Sequence, residues 1–194
     1  MQVIHFDTSA ERPESAWVRG VNALLPDTVA VLWSRRVDAE FHARYSAVAR
    51  VYRYELLNRP VRPALSATQI GWFHLALDID RMRAGARHLL GEHDFSAFRS
   101  AECQAKSPVR TIHSLDVIRA GERIDFVVKA NAFLHHMVRN LVGTLIYVGK
   151  GALAPEEVRE ILRSKDRTNA APTFGPEGLY LDKIEYEAKW RLPN

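Results

Sequence analysis

The 194-residue sequence is 47% hydrophobic and 26% charged, which is typical of a folded globular protein and excludes a disordered chain. Its formal net charge of +4, supplied mainly by arginine, favours an anionic partner such as nucleic acid, although a solvated basic surface explains it equally well. The single cysteine excludes an internal disulfide and fits a reducing, cytoplasmic compartment. No signal peptide is recognisable, and the most apolar run, 141–148, is too short to span a membrane.

The first 47 residues predict an incomplete structural unit. Residues 2–6 alternate as a strand does, residues 15–24 have the apolar spacing of a helix, and residues 29–33 predict a short strand. A β element that starts at residue 2 suggests that the first part of a unit is missing. We therefore interpret residues 1–47 as the remnant of an N-terminal ferredoxin-like half plus a linker.

Residues 48–194 predict one complete ferredoxin-like half. Strands are predicted at 48–57, 112–118, 124–130 and 179–187, and helices at 78–90, 133–148 and 156–162. Ala120-Gly121-Glu122 predicts the turn of a hairpin between the two middle strands. This order is that of a split βαβ arrangement and places the protein in the α+β class.

Arg139 is the most informative single residue. It lies in the most apolar predicted helix, and burying an arginine costs several kcal/mol unless a carboxylate meets it. Gly143, one turn further on, would leave space beside the guanidinium for another backbone or a ligand. The alternative is an ordinary arginine on a helix surface.

The strand around Tyr52 combines aromatic and basic residues. Tyr52 and Tyr54 lie on the same strand face, where a tyrosine can stack on an extruded base or can pack in the core with its hydroxyl satisfied. Residues 41–45, upstream, mix aromatic and basic side chains in a predicted loop suited to contacting a nucleic-acid backbone.

Metal and cofactor chemistry has little support in the sequence. His135 and His136 are adjacent and would point about 100° apart on a helix. No zinc-ligand spacing, phosphate loop or dinucleotide-binding glycine motif occurs. We therefore expect neither a metal nor a cofactor. A structural Cys103 is favoured over a nucleophilic one, because no activating base is identifiable.

Taken together, these segments resemble the tRNA pseudouridine synthase family of the TruA type. The resemblance runs in order from residue 2 to about residue 186. The segments that carry it are 2–6, 20–26, 41–45, 52–54, 91–95, 132–140 and 177–181.

The resemblance implies an isomerase that detaches uracil from its ribose and rejoins it through carbon 5, at positions 38–40 of the tRNA anticodon arm. It implies base flipping, a nucleophilic aspartate, no cofactor and no metal. It also implies a homodimer whose two subunits both contact the tRNA. The implied pseudouridine synthase fold has two ferredoxin-like halves that share a mixed or antiparallel sheet, with the first half incomplete here.

The resemblance also assigns roles to individual residues. Tyr52 would stack on the target uracil, Arg139 would pair with the aspartate and keep it ionised, and Arg12 would assist the flip. Two segments would contact the tRNA. They are Phe41, His42, Ala43, Arg44 and Tyr45, and Cys103, Gln104, Ala105, Lys106 and Ser107.

The sequence departs from the family at the nucleophile. The family's Arg-Thr-Asp motif lies immediately upstream of the strand that residues 2–6 match. None of Asp7, Asp27, Asp38, Asp94 and Asp166 lies in that context. We therefore expect a truncated chain that is catalytically incomplete and poorly stable. The alternative is a non-catalytic RNA-binding ferredoxin-like protein, although an intact Arg139 helix argues against such repurposing.

Overall fold

A computed structural model describes residues 1–193, and its regular elements form a mixed α+β fold, as predicted. The strands are β1 (Ala47–Asn58), β2 (Gly71–Phe73), β3 (Gly91–Asp94), β4 (Val109–Ala120), β5 (Arg123–Ala130) and β6 (Leu179–Tyr186). The helices are α1 (Glu14–Asn22), α2 (Ile79–Arg87), α3 (Met137–Gly149) and α4 (Glu157–Ser164).

The strands join in one six-stranded sheet within the described residues, in the order β2-β1-β5-β4-β3, with β6 also paired to β1. β1 runs parallel to β2 and antiparallel to β5, and β5–β4 and β4–β3 are antiparallel. Gly121 turns β4 into β5 with φ of 60°, a conformation that glycine adopts without steric cost. The predicted hairpin is therefore confirmed.

The core lies between one face of the sheet and helices α2, α3 and α4. Alternate residues of β5, from Ile124 to Ala130, are buried, and nearly every residue of α3 is inaccessible. A helix that is apolar on all sides must be covered on all sides, which explains the central place of α3. No helix in residues 1–193 combines the length and apolar content needed to cross a membrane.

The chain divides into two compact units. Met1 and residues 49–184 form one unit, and residues 2–48 with the segment from Glu185 onward form the other. The predicted strands at 2–6 and 29–33 are wrong, because the structure has irregular chain at both places. Ile4 and Phe6 are 74% and 57% exposed, so residues 2–6 bury no apolar face. The Asn22 amide bonds the N–H and C=O of Val31, at 2.7 and 2.9 Å, and so replaces a strand partner.

Three further differences have local causes. The strands β2 and β3 are only three and four residues long, too short for a periodic pattern to predict. Helix α3 begins at Met137 rather than 133, because His136 has φ of 60° and cannot continue a right-handed helix. The apolar pattern misled the prediction because Leu134, outside the helix, is also buried.

Candidate active site

Arg139 lies in the first turn of α3 and is held by a segment that passes across the helix. Its Nε donates a hydrogen bond to the Phe174 carbonyl at 2.7 Å, and the Phe174 N–H donates to the Arg139 carbonyl at 3.3 Å. A Cβ on Gly143 would lie 2.4 Å from the Pro172 carbonyl oxygen. The space predicted beside Gly143 is therefore filled by backbone. Residues 170–175 are called the crossing segment below.

The rest of the Arg139 guanidinium has no acidic partner within residues 1–193. The side chain is half-buried, and its Nη nitrogens make neither an ion pair nor a hydrogen bond to a described residue. One N–H is thus fixed in direction while the other donors remain available. An arginine in this state is suited to bind an anionic group bidentately.

Tyr54 connects the crossing segment to the sheet. It is fully buried, and its hydroxyl donates to the Gly175 carbonyl at 2.8 Å. Burial, and then the charge of Glu177, raises the pKa of Tyr54 far above its usual range, while the charge of Arg139 opposes the rise. The Phe174 ring packs against Tyr54 at 5.8 Å. Tyr54 is therefore the satisfied core tyrosine that the sequence left as one alternative.

Tyr52, on the same face of β1, differs from Tyr54. It is half-buried, its ring meets the Phe133 ring edge-on at 5.0 Å, and its hydroxyl bonds no described residue. Burial raises the pKa of Tyr52, against the opposing charge of Arg50. Its ring is thus supported on one side and accessible in part, as a stacking surface requires.

The predicted tRNA-contacting segment 103–107 is held by hydrogen bonds from Arg99 and His135. The Arg99 guanidinium donates to the carbonyls of Cys103 and Ala105, and the His135 N–H donates to Cys103 Sγ at 3.3 Å. Burial would raise the pKa of the Cys103 thiol, but the N–H groups of His135 and Ala105 and the charge of Arg99 together lower it. The exposed residues of the segment are Gln104, Lys106 and Ser107.

His135 and His136 join that segment to α3. Their rings stack at 3.9 Å between centroids, and the Ser100 N–H donates to the His135 carbonyl at 3.1 Å. Burial, and then the positive charges of His135 and Arg139, lowers the pKa of His136. The pair therefore acts as a packed and hydrogen-bonded start to the helix that carries Arg139.

The second unit holds the predicted segment 41–45. The ring nitrogen Nδ1 of His42 accepts from the N–H groups of Arg44 and Tyr45, at 3.1 and 3.3 Å. The Tyr45 ring packs against the His42 ring at 4.3 Å between centroids, and the Arg44 guanidinium lies 5.8 Å from the Tyr45 ring centroid. Phe41 and Ala43 are buried, whereas Arg12, Arg44 and Tyr45 are exposed.

Comparison with known proteins identifies the family. A family sequence model described as tRNA pseudouridine synthase matches residues 86–187. The whole chain is 57% identical to tRNA pseudouridine synthase A of Chromobacterium violaceum and covers 74% of that protein. The chain belongs to the tRNA pseudouridine synthase family. Proteins of the same name from Janthinobacterium sp. and Herminiimonas arsenicoxydans are 55% and 56% identical over 99% of this chain, which covers 73% and 71% of their lengths.

This member of the tRNA pseudouridine synthase family has a buried polar cluster next to Arg139 that the sequence did not reveal. Asn140 is fully buried; its Nδ2 donates to the Phe98 carbonyl at 2.8 Å, and its Oδ1 accepts from Thr173 Oγ1 at 2.6 Å. Arg167 also donates to that Oδ1, at 3.2 Å. A polar residue inside an apolar helix was a visible sign for Asn140, but nothing in the sequence marked Arg167 or Thr173.

Proposed function

We propose that this chain takes part in the conversion of uridine to pseudouridine at positions 38–40 of tRNA. In this proposal Arg139 pairs with the nucleophilic aspartate and Tyr52 stacks on the extruded uracil. The observation that carries the proposal is Arg139, whose Nε is fixed by Phe174 while its other donors meet no described carboxylate. The protein acts in the cytoplasm as a homodimer and uses no metal or cofactor.

The proposed role of Arg139 is electrostatic and geometric. A guanidinium beside a carboxylate favours the ionised form, so the nucleophile stays charged at neutral pH. Two parallel N–H donors also hold a carboxylate in one orientation. The bond from Nε to Phe174 sets the direction in which those donors point.

The proposed role of Tyr52 depends on extrusion of the target base. A uridine inside the anticodon arm must leave its stack before its glycosidic bond can be reached. The partly exposed Tyr52 ring, supported by Phe133, offers a flat surface for the extruded uracil. In the same proposal Arg12 assists the extrusion, and the segments 41–45 and 103–107 contact the tRNA, with Arg44 and Lys106 as phosphate ligands.

The nucleophile itself matches no residue of the 194-residue sequence, since none of the aspartates in this sequence lies in the family's Arg-Thr-Asp motif. We infer that the 194-residue polypeptide binds tRNA but forms no pseudouridine unless another segment supplies the carboxylate. In this proposal, tRNA binding and pseudouridine formation are tested by separate measurements.

The test compares the 194-residue chain with a fusion in which a segment that carries the family's Arg-Thr-Asp motif precedes residue 2. Pseudouridine formation is measured as tritium released from tRNA labelled at uracil C5. We expect turnover by the fusion alone. Arg139→Lys in the fusion should slow turnover by about a hundredfold or more, as expected when an oriented charge is lost from an active site.

The matched control is Arg62→Lys, which makes the same change at an exposed residue of the first unit. It should leave the rate unchanged. Equal rates for the fusion with and without Arg139→Lys would contradict the proposed role of Arg139. Tight tRNA binding by both proteins with no turnover by either would instead support the non-catalytic RNA-binding alternative.

A further inference from the structure

Arg167 is a half-buried arginine whose guanidinium meets only uncharged acceptors among the described residues. Its Nη1 donates to the Ala170 carbonyl at 3.2 Å. Its Nη2 donates to Asn140 Oδ1 at 3.2 Å and to Thr173 Oγ1 at 3.1 Å. Burial lowers the pKa of Arg167. An arginine held in this way costs free energy, since no carboxylate offsets its desolvation.

Asp166, the acidic residue next to Arg167 in the sequence, forms hydrogen bonds to another residue. The Asp166 carboxylate accepts from the N–H and the hydroxyl of Thr168, at 2.8 and 2.7 Å. Asp166 therefore shapes the turn at 167–169 and forms no ion pair with Arg167. The contacts of Arg167 are directed elsewhere, to α3 and to the crossing segment.

The three acceptors of Arg167 lie on two different elements. Asn140 belongs to α3, whereas Ala170 and Thr173 belong to the crossing segment. Thr173 also donates directly to Asn140, at 2.6 Å. A planar fork with several donors is the side chain best able to join such acceptors at once. Arg167 thus fastens the crossing segment to α3.

The hydrogen-bonded pair Asn140 and Thr173 lies directly beside the pair Arg139 and Phe174. Asn140 follows Arg139 in the helix, and Thr173 precedes Phe174, whose carbonyl accepts from Arg139 Nε at 2.7 Å. A shift of the crossing segment along α3 would move that carbonyl away from the guanidinium. Close packing at Gly143 limits movement of the crossing segment toward the helix.

We propose that Arg167 is a positioning residue for Arg139: it fixes the crossing segment so that the Phe174 carbonyl aims the Arg139 guanidinium. The value of this arrangement for catalysis depends on the proposed function. The proposed positioning of Arg139 by Arg167 does not depend on that function, because it concerns the hydrogen bond from Arg139 Nε to the Phe174 carbonyl inside the protein.

The experiment measures solvent exchange of the Arg139 Nε–H by ¹⁵N NMR in the 194-residue chain, with the resonance assigned from the spectrum of Arg139→Lys. We expect Arg167→Gln to accelerate this exchange by about tenfold or more, because the three charge-assisted hydrogen bonds of Arg167 are lost. Arg167→Lys should restore part of the protection. Arg163→Gln, an exposed arginine paired with Glu160, is the control and should change nothing.

The backbone amide of Phe126, buried in β5, separates positioning from general stability. The proposal requires faster exchange at Arg139 with unchanged exchange at Phe126. The proposal is overturned if exchange of the Arg139 Nε–H is unchanged in both Arg167→Gln and Arg167→Lys. It is also overturned if exchange of the Arg139 Nε–H and of the Phe126 amide accelerates by the same factor. If Arg167→Gln does not fold, the same comparison is made with Arg167→Lys and Thr173→Val.

The fusion enzyme keeps this inference distinct from the proposed function. There, Arg167→Gln should lower kcat and leave KM unchanged, since Arg167 lies outside both proposed tRNA-contacting segments. A fusion with native Arg167 and no activity would contradict the proposed function while leaving the exchange result intact. An active fusion whose kcat is insensitive to Arg167→Gln would show that the positioning has no catalytic value.

Discussion

The unit formed by residues 49–184 and the unit that contains residues 2–48 are stabilised in different ways. In the first, a continuous core includes α3, where Leu145 is inaccessible to solvent. Among the described residues of the second unit, the buried hydrophobic side chains are those of Phe41 and Ala43. Leu24 of the same unit is 89% exposed. Apolar burial therefore dominates the stability of the first unit, and local hydrogen bonds and ring contacts matter more in the second.

This difference determines where a substitution should matter. In the second unit, the Asn22–Val31 bonds and the His5–His42 ring contact at 4.2 Å hold the chain without a covering core. Exposed apolar side chains such as Leu32, at 72%, add little to folding and favour association. Equivalent substitutions in the two units should therefore have different effects on the free energy of unfolding.

Truncation of a leucine gives the largest expected contrast. Leu145→Ala removes a fully buried side chain of α3 and should lower the free energy of unfolding by about 2–5 kcal/mol. Leu24→Ala, the same change at an exposed position, should alter it by less than about 0.5 kcal/mol. Urea unfolding measures both values. A large loss at Leu24 would mean that this side chain is covered in solution.

Two helical glycines should respond with opposite sign. At Gly143 a Cβ would lie 2.4 Å from the Pro172 carbonyl oxygen, so Gly143→Ala should destabilise by about 1–3 kcal/mol. At Gly20, in α1, a Cβ would meet no atom within 4 Å, so Gly20→Ala should stabilise by about 0.5–1 kcal/mol. Thermal or urea unfolding provides the comparison, and a neutral Gly143→Ala would show that the crossing segment can move away.

The same contrast explains how far the sequence predicted the fold. Alternation and helical spacing identified β1, β4, β5, α2, α3 and α4, whose apolar residues enter a common core. The same patterns identified α1 and β6, although neither element has a buried residue. Residues 2–6 show equal alternation, but their apolar side chains meet no core, so the pattern had no structural consequence. A periodic pattern therefore predicts an element most dependably where that element packs against a core.

The candidate site was predictable only in part. The apolar helix around Arg139 and the aromatic strand at Tyr52 stand out in the sequence, and the accessible Tyr52 and buried Tyr54 could not be told apart by it. The bonds from Arg139 to Phe174 and from Arg167 to Asn140 join residues about 30 positions apart. Such pairings depend on how the crossing segment passes α3, which no local pattern encodes.

His136 tests the left-handed backbone conformation that precedes α3 in the first unit. Its φ of 60° is costly for a residue with a Cβ and free of cost for glycine. Both His136→Gly and His136→Ala remove the imidazole, but only the first relieves the backbone. The glycine variant should therefore be more stable than the alanine variant by about 1 kcal/mol. Equal stabilities in urea would indicate that His136 leaves the left-handed region in solution.

The smallest expected effect is the response of that same residue to acid. Burial, and then the charges of His135 and Arg139, lowers the pKa of His136, so the unfolded chain takes up this proton more readily than the folded one. The contribution of His136 to stability is therefore complete above its ordinary pKa of about 6.5 and decreases as the pH falls toward its folded value.

His136→Asn keeps a side chain that tolerates positive φ and removes the titration. Between pH 7.5 and 5.5 the free energy of unfolding should consequently decrease more for the wild type than for this variant. Carboxylates elsewhere titrate in both proteins, so their contribution cancels in the difference between the two curves. Parallel curves would contradict the lowered pKa and would place His136 in contact with solvent at the start of α3.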